Sequence, residues 1–367
     1  MATTTIKDVC SYLESLAPRS YQENYDNSGL IVGNPHAAVT GVLITLDCLE
    51  NIIDEAVAAR CNLVVAHHPI VFKGLKRITG QNYVERTIIK AIKNDIAIFA
   101  IHTNLDNVEW GVNKRIADQL GLTHTKVLAP KSNVLLKLTV FVPAQHKNGV
   151  INALHEAGAG NIGNYSHCSF QLLGEGTFLP NEQANPNIGK RGELERVSEV
   201  RVELILPEAN KQAVLGALFR SHPYEEVAYY LSRLENEHQQ VGSGMVGDLP
   251  QPVEPFEFLN SLKTNMGASV VRHTKVGTNN ISRVALCGGS GSFLLPQAIA
   301  AGAQVFISAD FKYHEFFDAE DKIVIADIGH YESEQFTKQL LAEVLSKKFT
   351  TFATTFSKTT TNPISYL

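Results

Sequence analysis

Apolar residues recur along this chain in two rhythms, and their alternation outlines an α/β protein before any single motif is weighed. Ile6, Val9, Cys10, Leu13 and Leu16 fall on one helical face, Thr5 and Asp8 have capping-box spacing, and Pro18 stops the helix. The pattern then predicts a strand over Val42–Asp47, a helix over Asn51–Arg60, a strand over Leu63–Ala66, a helix over Val84–Asn94 and a strand over Ile96–Ile101. Strands that are apolar throughout and alternate with helices belong to a mostly parallel sheet covered on both faces.

The same order returns later. Strand Val284–Leu286, helix Leu294–Ala301, strand Val305–Ser308, a helical stretch around Tyr313–Phe317, strand Ile323–Ile328 and helix Glu334–Leu345 repeat the early succession. We read this as an internal duplication, in which Ala66-His67-His68 corresponds to Ser308-Ala309-Asp310 and His102–Asp106 corresponds approximately to Gly329–Ser333. Between the halves the order changes to strand Val134–Val142, helix Gln145–Ala157, strands Ser169–Phe178 and Val200–Leu206, helix Ala209–Arg220 and strand Glu225–Leu231. That βαββαβ order is ferredoxin-like. Pro143, Val150, Ala153 and Leu154 have the same spacing as Pro207, Val214, Ala217 and Leu218, which supports it. The Gly-, Pro- and Asn-rich run Gly174–Arg191 reads as a long loop. The expected architecture is therefore a duplicated α/β outer domain built from residues 1–126 and 242–367, with an inserted ferredoxin-like α+β domain over 127–241.

Composition narrows the function classes. Apolar residues make up 44% and charged residues 19% of the 367 positions, which is ordinary for a globular chain. A net charge of −5 without long basic runs argues against direct binding to nucleic acid or to an anionic membrane. Cys10, Cys48, Cys61, Cys168 and Cys287 are scattered without a CxxC pair, so a disulfide framework or thiolate zinc site is not expected and a reducing compartment fits. The first residues lack signal-peptide character and no apolar run approaches membrane-spanning length, so a cytoplasmic protein is expected.

Three clusters carry chemistry, each after an apolar strand, where open α/β sheets collect ligands. His67 and His68 follow Leu63–Ala66; His102 and Asp106 follow Ile96–Ile101; His330 and Glu334, at i and i+4, follow Ile323–Ile328. Taken singly, they also fit loop histidines, turn formers and a solvated helix face. Together they place imidazole and carboxylate at corresponding strand ends of both halves. The expected metal ligands are His67, His68, Asp106, His330 and Glu334, and a nitrogen and oxygen donor set suits zinc first, or iron(II), manganese or cobalt. His314 and His102 are candidate proton carriers, and Lys312 is placed to hold an anionic group. Gly288-Gly289-Ser290-Gly291 fits no nucleotide-binding pattern but can present backbone N–H groups to phosphate. No GxSxG motif supports covalent catalysis.

These clusters, with Asp26-Asn27-Ser28-Gly29-Leu30, Asp310-Phe311-Lys312-Tyr313-His314 and the glycine run, resemble the Nif-three-like family of GTP cyclohydrolase I type 2 homologues over nearly the whole chain. Tyr25 stands where that family's pattern has tryptophan. The resemblance implies two divalent ions per chain, with Asp106 and Glu334 bridging, and a toroidal homohexamer whose metal sites face an internal cavity. It also implies a PII/CutA1-like insertion. In a cyclohydrolase, activated water would attack C8 of a guanine ring while His314 or His102 moves protons. The substrate class is then a small molecule such as a nucleotide. The competing expectation is a non-catalytic metal-binding regulatory or assembly protein whose inserted domain senses an effector.

Overall fold

The computed structural model describes residues 3–367 as a mixed α/β protein with three sheets. Two compact units are formed, one of Met1–Pro130 with Gln240–Leu367 and one of Lys131–Gln239.

In the first unit, helix Ile6–Leu16 carries the capping box of Thr5 and Asp8, and Ile6, Val9, Cys10 and Leu13 are buried. A five-stranded sheet runs in the order Gly29–Val32, Ala97–Ala100, Leu63–Ala66, Gly41–Thr45, Ala353–Phe356. All neighbours are parallel except Gly29–Val32, which lies antiparallel on Ala97–Ala100. Every residue of the three middle strands is buried, which is why they read as unbroken apolar runs. A six-stranded sheet runs in the order Arg272–His273, Val324–Asp327, Val305–Ala309, Ile281–Ser290, His238–Val253, Thr123–Lys131. Its middle repeats the first sheet: three parallel strands in chain order, with a short antiparallel strand on the third.

The expected domain boundaries, after residues 126 and 241, fall inside strands Thr123–Lys131 and His238–Val253. Both strands belong to the six-stranded sheet, so the intervening unit is a few residues shorter than anticipated. The single expected helix Glu334–Leu345 is two helices, His330–Glu334 and Thr337–Lys348.

The second unit has an antiparallel sheet in the order Phe170–Phe178, Glu195–Pro207, Leu135–Pro143, Tyr229–Leu234. Helices Lys147–Glu156 and Lys211–Ser221 complete a strand, helix, strand, strand, helix, strand succession. Val150 and Leu154, with their counterparts Val214 and Leu218, lie in one core with Leu138, Val140, Val202 and Leu206. Part of the expected loop Gly174–Arg191 is strand: the ladder continues to Phe178 opposite Glu195. A Cβ at Gly176 would meet the Glu199 carboxylate, which would have to turn aside.

Candidate metal centre

His67 and His68 leave the buried strand Leu63–Ala66 with their backbone N–H groups bonded to Thr45 and Leu46 carbonyls, at 3.2 and 2.9 Å. His67 is wholly buried, and its Nδ1 lies 2.8 Å from the Ile101 carbonyl. A carbonyl only accepts, so Nδ1 carries the proton and Nε2 presents a bare lone pair. That Nε2 faces Asp106 Oδ1 at 3.5 Å, and neither atom has a hydrogen-bond partner although both are buried. Burial holds the His67 imidazole neutral, with its pKa down at about 3. Burial and the neighbouring Glu334 push the Asp106 carboxyl well above the usual carboxylate range.

The other histidines repeat this arrangement. His68 donates from Nδ1 to Asp47 at 2.8 Å and turns Nε2 to Glu334 at 2.9 Å. His330 donates from Nδ1 to Asp310 at 2.6 Å and turns Nε2 toward Glu334 at 3.2 Å. His102 donates from Nδ1 to Asp26 at 2.8 Å, and its ring lies 5.3 Å from those of His67 and His68. Burial would lower the pKa values of His68 and His330, but Glu334 with Asp47 or Asp310 outweighs it and lifts them to about 10 and 11. Burial works the other way on Glu334, and His330 and His68 outweigh it to keep that carboxylate ionised. Fixing Nδ1 on an oxygen and leaving Nε2 inward is the arrangement that orients histidine toward a metal.

Two groups emerge, His67, His68 and His102, and His68, His330 and Glu334, each with donor atoms within 4.8 Å of one another. These donors suit a divalent ion: imidazole nitrogens gathered around carboxylate oxygens, with His67 Nε2 and Asp106 Oδ1 buried and unpaired. Cys48 and Cys287 line the cavity above the centre, but burial pushes both thiols up, Cys48 to about 12, so they are not thiolate donors.

The backbone is shaped around this cluster. Asp310 sits at φ 59°, an uncommon conformation for a side-chain-bearing residue. Gly289, at φ 62°, lies where a Cβ would collide with Glu334 Oε1. Two N–H groups of the glycine run are taken by side chains, Gly288 by Asn113 and Gly289 by Ser333, both at 2.9 Å.

His67, His68, Asp106, His330, Glu334 and His102 are thus brought together. His314 is exposed and packs on Tyr313 and Phe317, and neither it nor the exposed Lys312 lines the cavity. Asp26, Asp47 and Asp310 orient three of the histidines. Asp26 and Asp310 lie in motifs visible in the sequence, whereas Asp47 is marked only by ending a strand. A later segment was not foreseen at all: Thr361 donates to Asp47 at 2.6 Å, and Asn362 to Glu332 at 3.1 Å. Among the described residues, no helix is long and apolar enough to cross a membrane.

The Duf34/NIF3 (NGG1p interacting factor 3) family model matches residues 4–363. A Bacillus subtilis protein named GTP cyclohydrolase 1 type 2 homolog is 38% identical over 98% of each chain. A Halalkalibacterium halodurans protein of the same name is 41% identical over 92% of this chain and 91% of its own. The crystal structure of a Bacillus cereus protein related to NIF3 superposes with a TM-score of 0.86 at 36% identity, covering all of both chains.

Proposed function

The chain belongs to the Duf34/NIF3 family, and on that footing we propose that it is a dinuclear-metal hydrolase acting on a small molecule. In this reading His67, His68, Asp106, His330 and Glu334 would hold two divalent ions, zinc first among them. The observation that carries it is the buried, unpartnered pair of His67 Nε2 and Asp106 Oδ1 at 3.5 Å. Such ions, when bound, would supply an activated water and polarisation of the bond to be hydrolysed. The chain's own part is positioning and proton handling. Asp47 and Asp310 fix the rings of His68 and His330. His102, in the cavity wall and held by Asp26, is the group placed to accept or return a proton.

The same reading takes Lys131–Gln239 as an inserted ferredoxin-like domain in a duplicated α/β frame, supported by its strand and helix order. It further takes the protein as a cytoplasmic, toroidal homohexamer, for which light scattering should give about six chain masses.

The direct test is elemental analysis of protein purified without chelator or affinity metal. About two ions per chain, lost in both His67→Ala and Glu334→Ala, are expected. Metal absent from the wild type, or unaffected by both changes, ends this reading. A regulatory role is the second reading, favoured by a separate cavity of about 1010 Å³ within the Lys131–Gln239 unit. Removing that unit while retaining full hydrolysis of any substrate found would count against it.

A further inference from the structure

The space above the metal centre says more about the substrate than the centre does. It is a cavity of about 790 Å³, within the range of pockets that enclose drug-sized ligands. Its floor is polar, but its sides are mostly apolar. Phe72, Tyr83, Phe293 and Ile364 line it and are 49%, 55%, 61% and 53% exposed. Large apolar side chains exposed singly need no explanation, whereas several turned into one concavity mark a binding surface.

The charges are equally informative. The chain has 32 Lys and Arg residues, yet among the described residues none lines this cavity. The basic side chains there are His68, His102 and His330, and each is already turned to a carboxylate. Among the described residues, no guanidinium fork and no ammonium group lines the cavity to bind a polyphosphate. Lys73, Lys76 and Arg77 follow Phe72 in sequence but are exposed and outside the lining.

Resting on the hydrolase reading, we propose that the site takes an uncharged, ring-bearing molecule of nucleobase or nucleoside size. Its ring lies between the aromatic walls and its heteroatoms face the centre. A phosphorylated nucleotide gains nothing from its phosphates here.

The test is calorimetry on the full-length, metal-loaded protein with guanosine, GTP and inorganic tripolyphosphate, at low and high NaCl, with metal content measured on the same samples. Guanosine should bind at least as tightly as GTP, with little salt dependence, and tripolyphosphate should not compete. Phe72→Ala and Phe293→Ala should each weaken guanosine roughly tenfold, as loss of a stacking ring does, with metal content and thermal midpoint unchanged. GTP binding tenfold tighter than guanosine and weakening with salt, competition by tripolyphosphate, or no guanosine binding at all would overturn the proposal. Metal missing from every sample would end the hydrolase reading instead. Guanosine binding would still decide this one, because the chain itself builds the walls.

Discussion

Gly289 shows how little room the centre allows. Its φ of 62° and the Glu334 oxygen beside it leave no space for a methyl group. Gly289→Ala should therefore lower stability by about 1 kcal/mol or more and displace Glu334. Urea unfolding and elemental analysis should both register the change; an unaltered midpoint with full metal content would show that the glycine is incidental. Thr361 acts at one remove, through Asp47 on His68. Thr361→Val should weaken metal binding by up to about tenfold at unchanged unfolding midpoint, as losses around ligating histidines do. Competition with a chromophoric chelator would measure it, and identical affinity would assign Thr361 to packing. The difference in legibility follows from sequence distance. His67 and His68 could be read because they end a continuous apolar strand. Thr361 could not, because it lies 314 positions from its partner in a segment without periodic pattern.

The elements differ in the same way. Helix Tyr83–Lys93 announces itself by its apolar face, but its start is fixed by Asn82, which accepts from Glu85 N–H at 3.0 Å, and by Glu85, whose carboxylate accepts from Thr79 and Gln81 N–H at 2.9 and 3.0 Å. Those backbone bonds hold its pKa down at about 2, below the ordinary 4.5. A carboxylate depressed on folding stabilises above its unfolded pKa, and that contribution disappears as pH falls toward the folded value. Wild type should thus lose its stability advantage over Glu85→Gln between about pH 4.5 and 2, as acid unfolding followed by circular dichroism will show. A constant difference across that window would remove Glu85 from the account. In the other unit, Leu154 has no exposed surface, and Leu154→Ala should cost about 2–5 kcal/mol of that unit's stability. Metal content should be untouched, since the ligands all belong to the other unit. Strands His238–Val253 and Ala353–Phe356 escaped sequence reading for physical reasons. The first is interrupted by Gly and Pro, and the second is a short, largely exposed edge strand.

At the scale of the whole molecule, the repeated succession of strands was legible because the middle strands are wholly buried in the early half and mostly buried in the late one. Which edge strands complete each sheet was not, since a strand recruited from a distant part of the chain leaves no mark near its partner. Ala353–Phe356 joins the sheet of the early half, and the segment beyond it reaches Asp47. The centre is likewise divided: 266 positions separate His68 from Glu334, with the whole Lys131–Gln239 unit between them. A ribosome therefore releases His67, His68 and His102 long before the glutamate that completes their site. The grouping of His67, His68 and His102 lies wholly within the early half, whereas that of His68, His330 and Glu334 comes into being only when the last stretch of the chain has been made.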